Sequence, residues 1–167
     1  MIKLLRIDER LVHGQVAVVW TKYLGVDRIV VADDDAAENE TQKYAMQMAV
    51  PDGVKLVVTT VEKAIALVND PRAERLKIFL IAKNPDNVIK LVEQMKEKPR
   101  INVGNFGRMS GGSDADKISL ERNLFVTEAD AVKFKKLISM ECDIFYQSVP
   151  DEKPTELKTL MGRKEIG

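Results

Sequence analysis

The stretch RIDERLVHGQV, residues 6–16, holds the sole histidine of a 167-residue chain, His13, and sets four charges in the five positions from Arg6 to Arg10. A neutral imidazole is a good nitrogen nucleophile near pH 7. Three residues before it, Arg10 offers a planar fork of donors matched to phosphoryl oxygens. Gly14 lets the main chain approach a ligand closely just ahead of a helix, whose first amides, with Gln15 among them, favour an anion. Nucleophile, clamp and helix start would converge on one anionic group. Two plainer readings stay open at this point. A lone histidine is often a surface or satisfied core residue, and Arg10 can pair with Asp8 or Glu9 in a solvated turn.

Other chemistry-bearing residues give weaker patterns. Asp33, Asp34 and Asp35 cluster where a strand should end. Such carboxylates can hold Mg2+, but a phospho-receiver needs paired acids after the first strand and another aspartate after the third, where this chain reads VTTVEK. Helix capping is the better reading. Lys83, in LIAKNP, can add positive charge at the same rim or stand as a solvated lysine. Residues 104–117, GNFGRMSGGSDADK, carry four glycines without the spacing of a dinucleotide fingerprint, so a conformationally free loop is expected. Cys142 reads as a small buried residue beside the last strand, and Trp20 and Tyr23 as packing against the sheet or part of a partner surface. Nothing in these patterns demands a metal or a cofactor.

Elements that must position the histidine follow from the apolar pattern. Strands are predicted over 2–7, 28–32, 55–59, 77–82, 101–103, 119–126 and 143–146. Helices are predicted over 15–24, 36–48, 61–69, 86–96, 128–139 and 155–161. Gly25 reads as a helix stop, and Thr60 and Thr127 as helix starts. RIVVA and IFLIA are continuous apolar runs, which argues for strands buried on both faces. The expectation is a three-layer α/β/α fold, with a mostly parallel central sheet of about seven strands and helices on both faces. His13 then sits at the carboxyl end of the first strand, where such sheets bind ligands.

Length and the absence of a linker predict a single domain over 1–167. With 26 basic and 26 acidic side chains the formal net charge is zero, so no overall positive field gathers nucleic acid. One cysteine and an amino-terminal apolar run too short for a signal sequence point to the cytoplasm.

RIDERLVHGQV closely resembles the active-site loop of IIB components of the mannose/fructose/sorbose family of bacterial sugar phosphotransferase systems, including their N-acetylgalactosamine branch. INVGN (101–105), SVP (148–150), the chain length and the element order are also similar to that family. The resemblance implies a phosphoryl carrier: His13 takes a phosphoryl group from a phosphohistidine on the IIA component and passes it to a sugar transported by the membrane components IIC and IID. It implies that Arg10 binds the phosphoryl oxygens, that Asp8 orients the loop and that Nδ1 carries the phosphate. It leaves Asn105 and Lys83 as possible members of the rim. INVGN inclines the sugar toward N-acetylgalactosamine or galactosamine, with mannose, fructose or sorbose next. Two other classes compete: a nucleotide-binding α/β domain using the glycine-rich loop, and a regulatory domain phosphorylated on His13 only as a signal.

Overall fold

The computed structural model describes residues 1–109 and 113–164, apart from the side chain of Asp114. Its main sheet has seven strands in the order β3-β2-β4-β1-β5-β8-β9. These are β1 (Ile2–Asp8), β2 (Arg28–Ala32), β3 (Lys55–Thr59), β4 (Ile78–Ala82), β5 (Ile101–Asn105), β8 (Ile144–Tyr146) and β9 (Thr155–Glu156). The first six run parallel, and β9 pairs antiparallel with β8. Strands β6 (Ile118–Glu121) and β7 (Leu124–Val126) form a separate antiparallel pair. The helices are α1 (Gly14–Leu24), α2 (Asp34–Ala37), α3 (Glu40–Ala49), α4 (Val61–Asn69), α5 (Pro85–Gln94), α6 (Glu128–Ser139) and α7 (Leu157–Arg163).

Two apolar cores sandwich the sheet. Ala17 and Trp20 of α1 and Met46 of α3 pack with Leu4, Ile29, Val31, Phe79 and Ile81 on one face. On the other, residues of α4, α5, α6 and α7 pack with Leu5, Ile7, Val30, Leu80, Ile101 and Val103. The chain therefore leaves β1 toward one face, through α1, while neighbouring β4 leads to α5 on the other. Connections that diverge in this way open a crevice at the carboxyl ends of the strands, and residues 9–13 lie there.

Four predictions from the sequence need correction. The helix over 36–48 is two helices, broken at Glu38 and Asn39, because Asn39 caps a fresh start by accepting from the Gln42 amide. The strand over 119–126 is a tight hairpin outside the main sheet. The seventh strand of the sheet is instead Thr155–Glu156, placed in the sequence reading inside the helix over 155–161. Residues 104 and 105 belong to β5, and 114–116 make a 3-10 turn, so the glycine-rich loop is shorter than expected; its residues 110–112 lie outside those described. The predicted punctuation agrees with the structure: Gly25 ends α1 at φ 64, Thr60 caps α4, and Thr127 and Asp130 form a reciprocal capping box on α6.

Two buried charges, Arg6 and Asp8, break the apolar pattern of β1. Arg6 is only 3% exposed, and its two Nη atoms donate to Asn102 Oδ1 (2.5 Å), the Gln147 carbonyl (3.2 Å), Asp8 Oδ2 (3.2 Å) and the Ser148 carbonyl (3.1 Å). The guanidinium lies over the Trp20 ring at 5.2 Å, a cation–π contact. Gly104 makes room for it, since a Cβ at that position would come within 2.0 Å of the guanidinium carbon. The end of an arginine usually yields to such a clash, but here yielding breaks four hydrogen bonds in a buried site. Gly104→Ala is therefore expected to destabilise the fold by about 2 kcal/mol or more, as overpacking of a filled interior does, read as a lower denaturant midpoint at unchanged m-value.

Candidate functional site

The site is built at the end of β1. Asp8 is fully buried, and its two oxygens face different ways: Oδ2 accepts from Arg6, while Oδ1 accepts from the Arg10 main-chain amide at 3.0 Å. The Asp8 carbonyl accepts the Leu11 amide at 2.9 Å. These bonds fold residues 8–11 into a tight turn in which Leu11 takes φ 59, and Gly14, at the start of α1, takes φ 44. Positive φ costs little at Gly14 but strains a leucine, so the turn is held by the Asp8 contacts rather than by local preference. The Arg10 side chain, 43% exposed, keeps its Nε 3.9 Å from Asp8 Oδ1 and leaves its guanidinium over the crevice.

His13 stands half-buried as the N-cap of α1, in extended backbone conformation, and its side chain does not cap the helix. Both ring nitrogens are shielded from solvent, and neither has a hydrogen-bond partner among the described residues. Burial pulls the imidazole below its ordinary value, with the Asp8 carboxylate opposing and the Arg10 and Arg6 charges assisting. The Leu11 carbonyl also opposes, acting on the ring from outside hydrogen-bond geometry. The ring is thus held neutral near pH 7, the form with a free lone pair.

The start of α1 is open. Helices α2, α3, α4, α5 and α6 are capped by the side chains of Asp33, Asn39, Thr60, Asn84 and Thr127, whereas α1 has no side-chain cap and no acidic residue in its first turn. A Cβ built on Gly14 meets nothing within 4 Å, so the chain is open beside that residue. Gly14 and Gln15 are exposed there. Unpaired amides, a neutral imidazole and a nearby guanidinium make a site suited to an anion of phosphoryl type.

The remaining candidates divide. Asn105 is buried, gives its carbonyl to the Glu9 amide at 2.9 Å, and lines a cleft of about 260 Å3 with Glu9, Arg10, Arg108, Met109 and Asn123. Lys83 follows Ala82, the register partner of Ile7, half-buried and with no bond to the histidine turn. Asp33 and Asp34 cap the starts of α2 and α4 by accepting from the Ala36 and Val61 amides. Trp20 packs inward and donates to the Ser148 carbonyl at 2.9 Å, while Tyr23 is 67% exposed and only meets Trp20 edge-on. Arg6 and Glu9 were not singled out from the sequence. A charge directly after the apolar pair Leu4–Leu5 and before Ile7, and a glycine inside INVGN, are the available signals for the first.

The chain matches the model of the PTS system sorbose subfamily IIB component over residues 2–167. It belongs to that family. Among its relatives is a probable phosphotransferase enzyme IIB component of Streptococcus pyogenes serotype M6, 39% identical over 163 residues, which covers 97% of this chain and all of the relative. An N-acetylgalactosamine-specific phosphotransferase enzyme IIB component 2 of Escherichia coli K12 is 34% identical, covering 96% of this chain and 98% of that one. The crystal structure of the IIB domain of the Klebsiella pneumoniae sorbose permease superposes with a TM-score of 0.88 at 26% identity, over 98% and 97% of the two chains. As a IIB component the chain is part of a sugar phosphotransferase system. Its sheet, helix layers and transferase class agree with the reading of the sequence, and no described helix is long and apolar enough to cross a membrane.

In this IIB component the depressed histidine has a thermodynamic consequence. The folded state binds the His13 proton less readily than the unfolded chain, so the contribution is present above the unfolded value near 6.5 and is lost as pH falls below it. With one histidine in the chain, the His13 contribution to stability should decline between pH 7 and about 5. His13→Gln is expected to flatten that decline, as read from denaturant midpoints across the range.

Proposed function

We propose that this chain is the phosphoryl-carrier IIB unit, residues 1–167 acting as one domain, with His13 as acceptor and donor of the phosphoryl group. The observation that carries the reading is the neutral imidazole, unpartnered among the described residues, at a helix start that no side chain caps, beside a partly exposed arginine. In the first transfer the N–P bond of a phosphohistidine on the IIA component breaks and an N–P bond forms to a His13 nitrogen. In the second, a sugar hydroxyl attacks the phosphorus and loses its proton as His13 leaves. Such transfers need positioning and charge stabilisation more than covalent help. Arg10 and the amides of Gly14 and Gln15 supply both, and Asp8 holds the turn. Since both nitrogens are shielded, the ring turns outward before it accepts the group.

Partners follow the same reading: phosphorylated IIA, membrane IIC and IID, and the transported sugar, with the protein in the cytoplasm at the membrane complex. The IIA assignment gains support from a mannose-specific EIIAB component of Escherichia coli, of which this chain matches 49% at 32% identity. The sugar proposed is an amino sugar such as N-acetylgalactosamine, or else mannose, fructose or sorbose. Relatives named for N-acetylgalactosamine and for sorbose are each 34% identical to this chain, which favours neither sugar and is in keeping with a choice made by the membrane components.

The test is incubation with phosphoenolpyruvate, the general phosphotransferase proteins and the matching IIA. An acid-labile phosphate is expected on the parent and none on His13→Ala. Its passage to sugar once IIC and IID are supplied separates a carrier from a protein phosphorylated only as a signal. Arg10→Ala should slow transfer about 10²-fold, the scale of one lost donor to a developing charge, with an unchanged melting temperature; equal rates would remove Arg10 from the mechanism.

A further inference from the structure

We propose that Glu9 is a positioning residue that fixes residues 107–109 as the wall of a docking cleft for the phosphoryl-donor protein, an inference that rests on the carrier reading above. Glu9 stands beside Asp8 in sequence but faces elsewhere. It is 5% exposed, and its carboxylate collects three consecutive main-chain amides: Oε1 accepts from Gly107 at 3.2 Å, and Oε2 from Arg108 at 3.0 Å and Met109 at 3.2 Å. Three successive amides aimed at one point form an anion-binding hollow, filled here by the chain's own carboxylate. Gly107 is fixed from its other side too. It adopts φ +101, and a Cβ there would lie 1.8 Å from the Phe125 carbonyl oxygen. The segment is therefore tied to β1 through Glu9 and pressed on β7 through Gly107.

What the tie positions is the cleft of about 260 Å3 lined by Glu9, Arg10, Asn105, Arg108, Met109 and Asn123. Met109 is 69% exposed at its lip. A concave surface with two arginines and an exposed thioether suits a protein surface that presents a phosphorylated, hence anionic, side chain. Glu9 itself serves the wall and not the imidazole. The Glu9 carboxylate is occupied by the loop amides, whereas Asp8 is the acid that acts most on the His13 ring.

The experiment compares two donors on Glu9→Gln, which keeps the side-chain shape but turns an amide N–H toward the loop amides. Phosphorylated IIA must dock on the wall; phosphoramidate, a small phosphoryl donor, need not. KM for phosphorylated IIA should rise about tenfold with kcat nearly constant, while the phosphoramidate rate and its pH profile stay at the parent values. Amide exchange at 107–109 should quicken by at least as much. Met109→Asp, an exposed change that leaves the Glu9 bonds in place, should raise the same KM by setting a like charge against the donor. A parental KM in both variants overturns the inference, as does a parallel fall with both donors, which would put Glu9 in the chemistry. A parent chain that neither donor phosphorylates overturns the carrier reading itself, a distinguishable result.

Discussion

The buried pair of Arg6 and Asp8 is the interaction on which the site depends. Removing a guanidinium and a carboxylate from water is costly, and the cost is offset only when the geometry is good and the other donors and acceptors are also satisfied. Here Arg6 reaches two side chains and two main-chain carbonyls, drawn from β1, β5 and the segment after β8. The result is a rigid anchor beneath the carboxyl ends of three neighbouring strands. Asp8 passes that rigidity on, because the oxygen not used by Arg6 holds the Arg10 amide. Without this hold, nothing in the residues RLV would keep Leu11 at φ 59, and His13 would not be delivered to the start of α1.

A second consequence concerns charge. Asp8 lies between Arg6 and Arg10, so the pocket floor is nearly balanced on one side and carries a partly exposed cation on the other. Burial disfavours the imidazolium and Asp8 favours it; the net depression leaves a neutral ring. The helix start completes the setting. Elsewhere in the protein, side-chain oxygens satisfy the first-turn amides of the longer helices, which is what a stable fold prefers. Leaving α1 without such a cap forgoes about 1 kcal/mol of stability, a local departure of the kind found where a site needs its amides free.

The parts of this arrangement that are close in sequence were legible there. His13, Arg10, Asp8 and Gly14 lie within seven residues of one another, and the apolar run before them and the helix period after them fix where the turn must fall. Lys83, a rim candidate by its sequence position, directly follows β4 and makes no bond to the turn. Arg6 and Glu9 were harder because their meaning is long-range: the partners of Arg6 include residues 96 and 142 positions away, and those of Glu9 are the loop amides 98 to 100 positions away. Sheet membership was obscured in the same manner. Thr155–Glu156 is too short to show a strand period and becomes a strand only because β8 offers an edge. The hairpin of β6 and β7 shares the composition of a single strand, and its turn at Arg122 and Asn123 carries no glycine to announce it.

On the proposed reading, the division of labour between the two arginines also bears on turnover. A carrier must give up what it accepts, and groups that bind the phosphorylated state more tightly than the transition states on either side slow the transfer onward. Arg6 is the stronger potential clamp, buried where charges are poorly screened, yet both its Nη atoms are committed to protein acceptors. Arg10 is free to meet the phosphoryl oxygens, but its side chain is 43% exposed, so solvent tempers its attraction. The buried cation therefore builds the turn and the wetter one handles the cargo. Exchanging those roles would hold the phosphoryl group too firmly for a protein whose task is to hand it on.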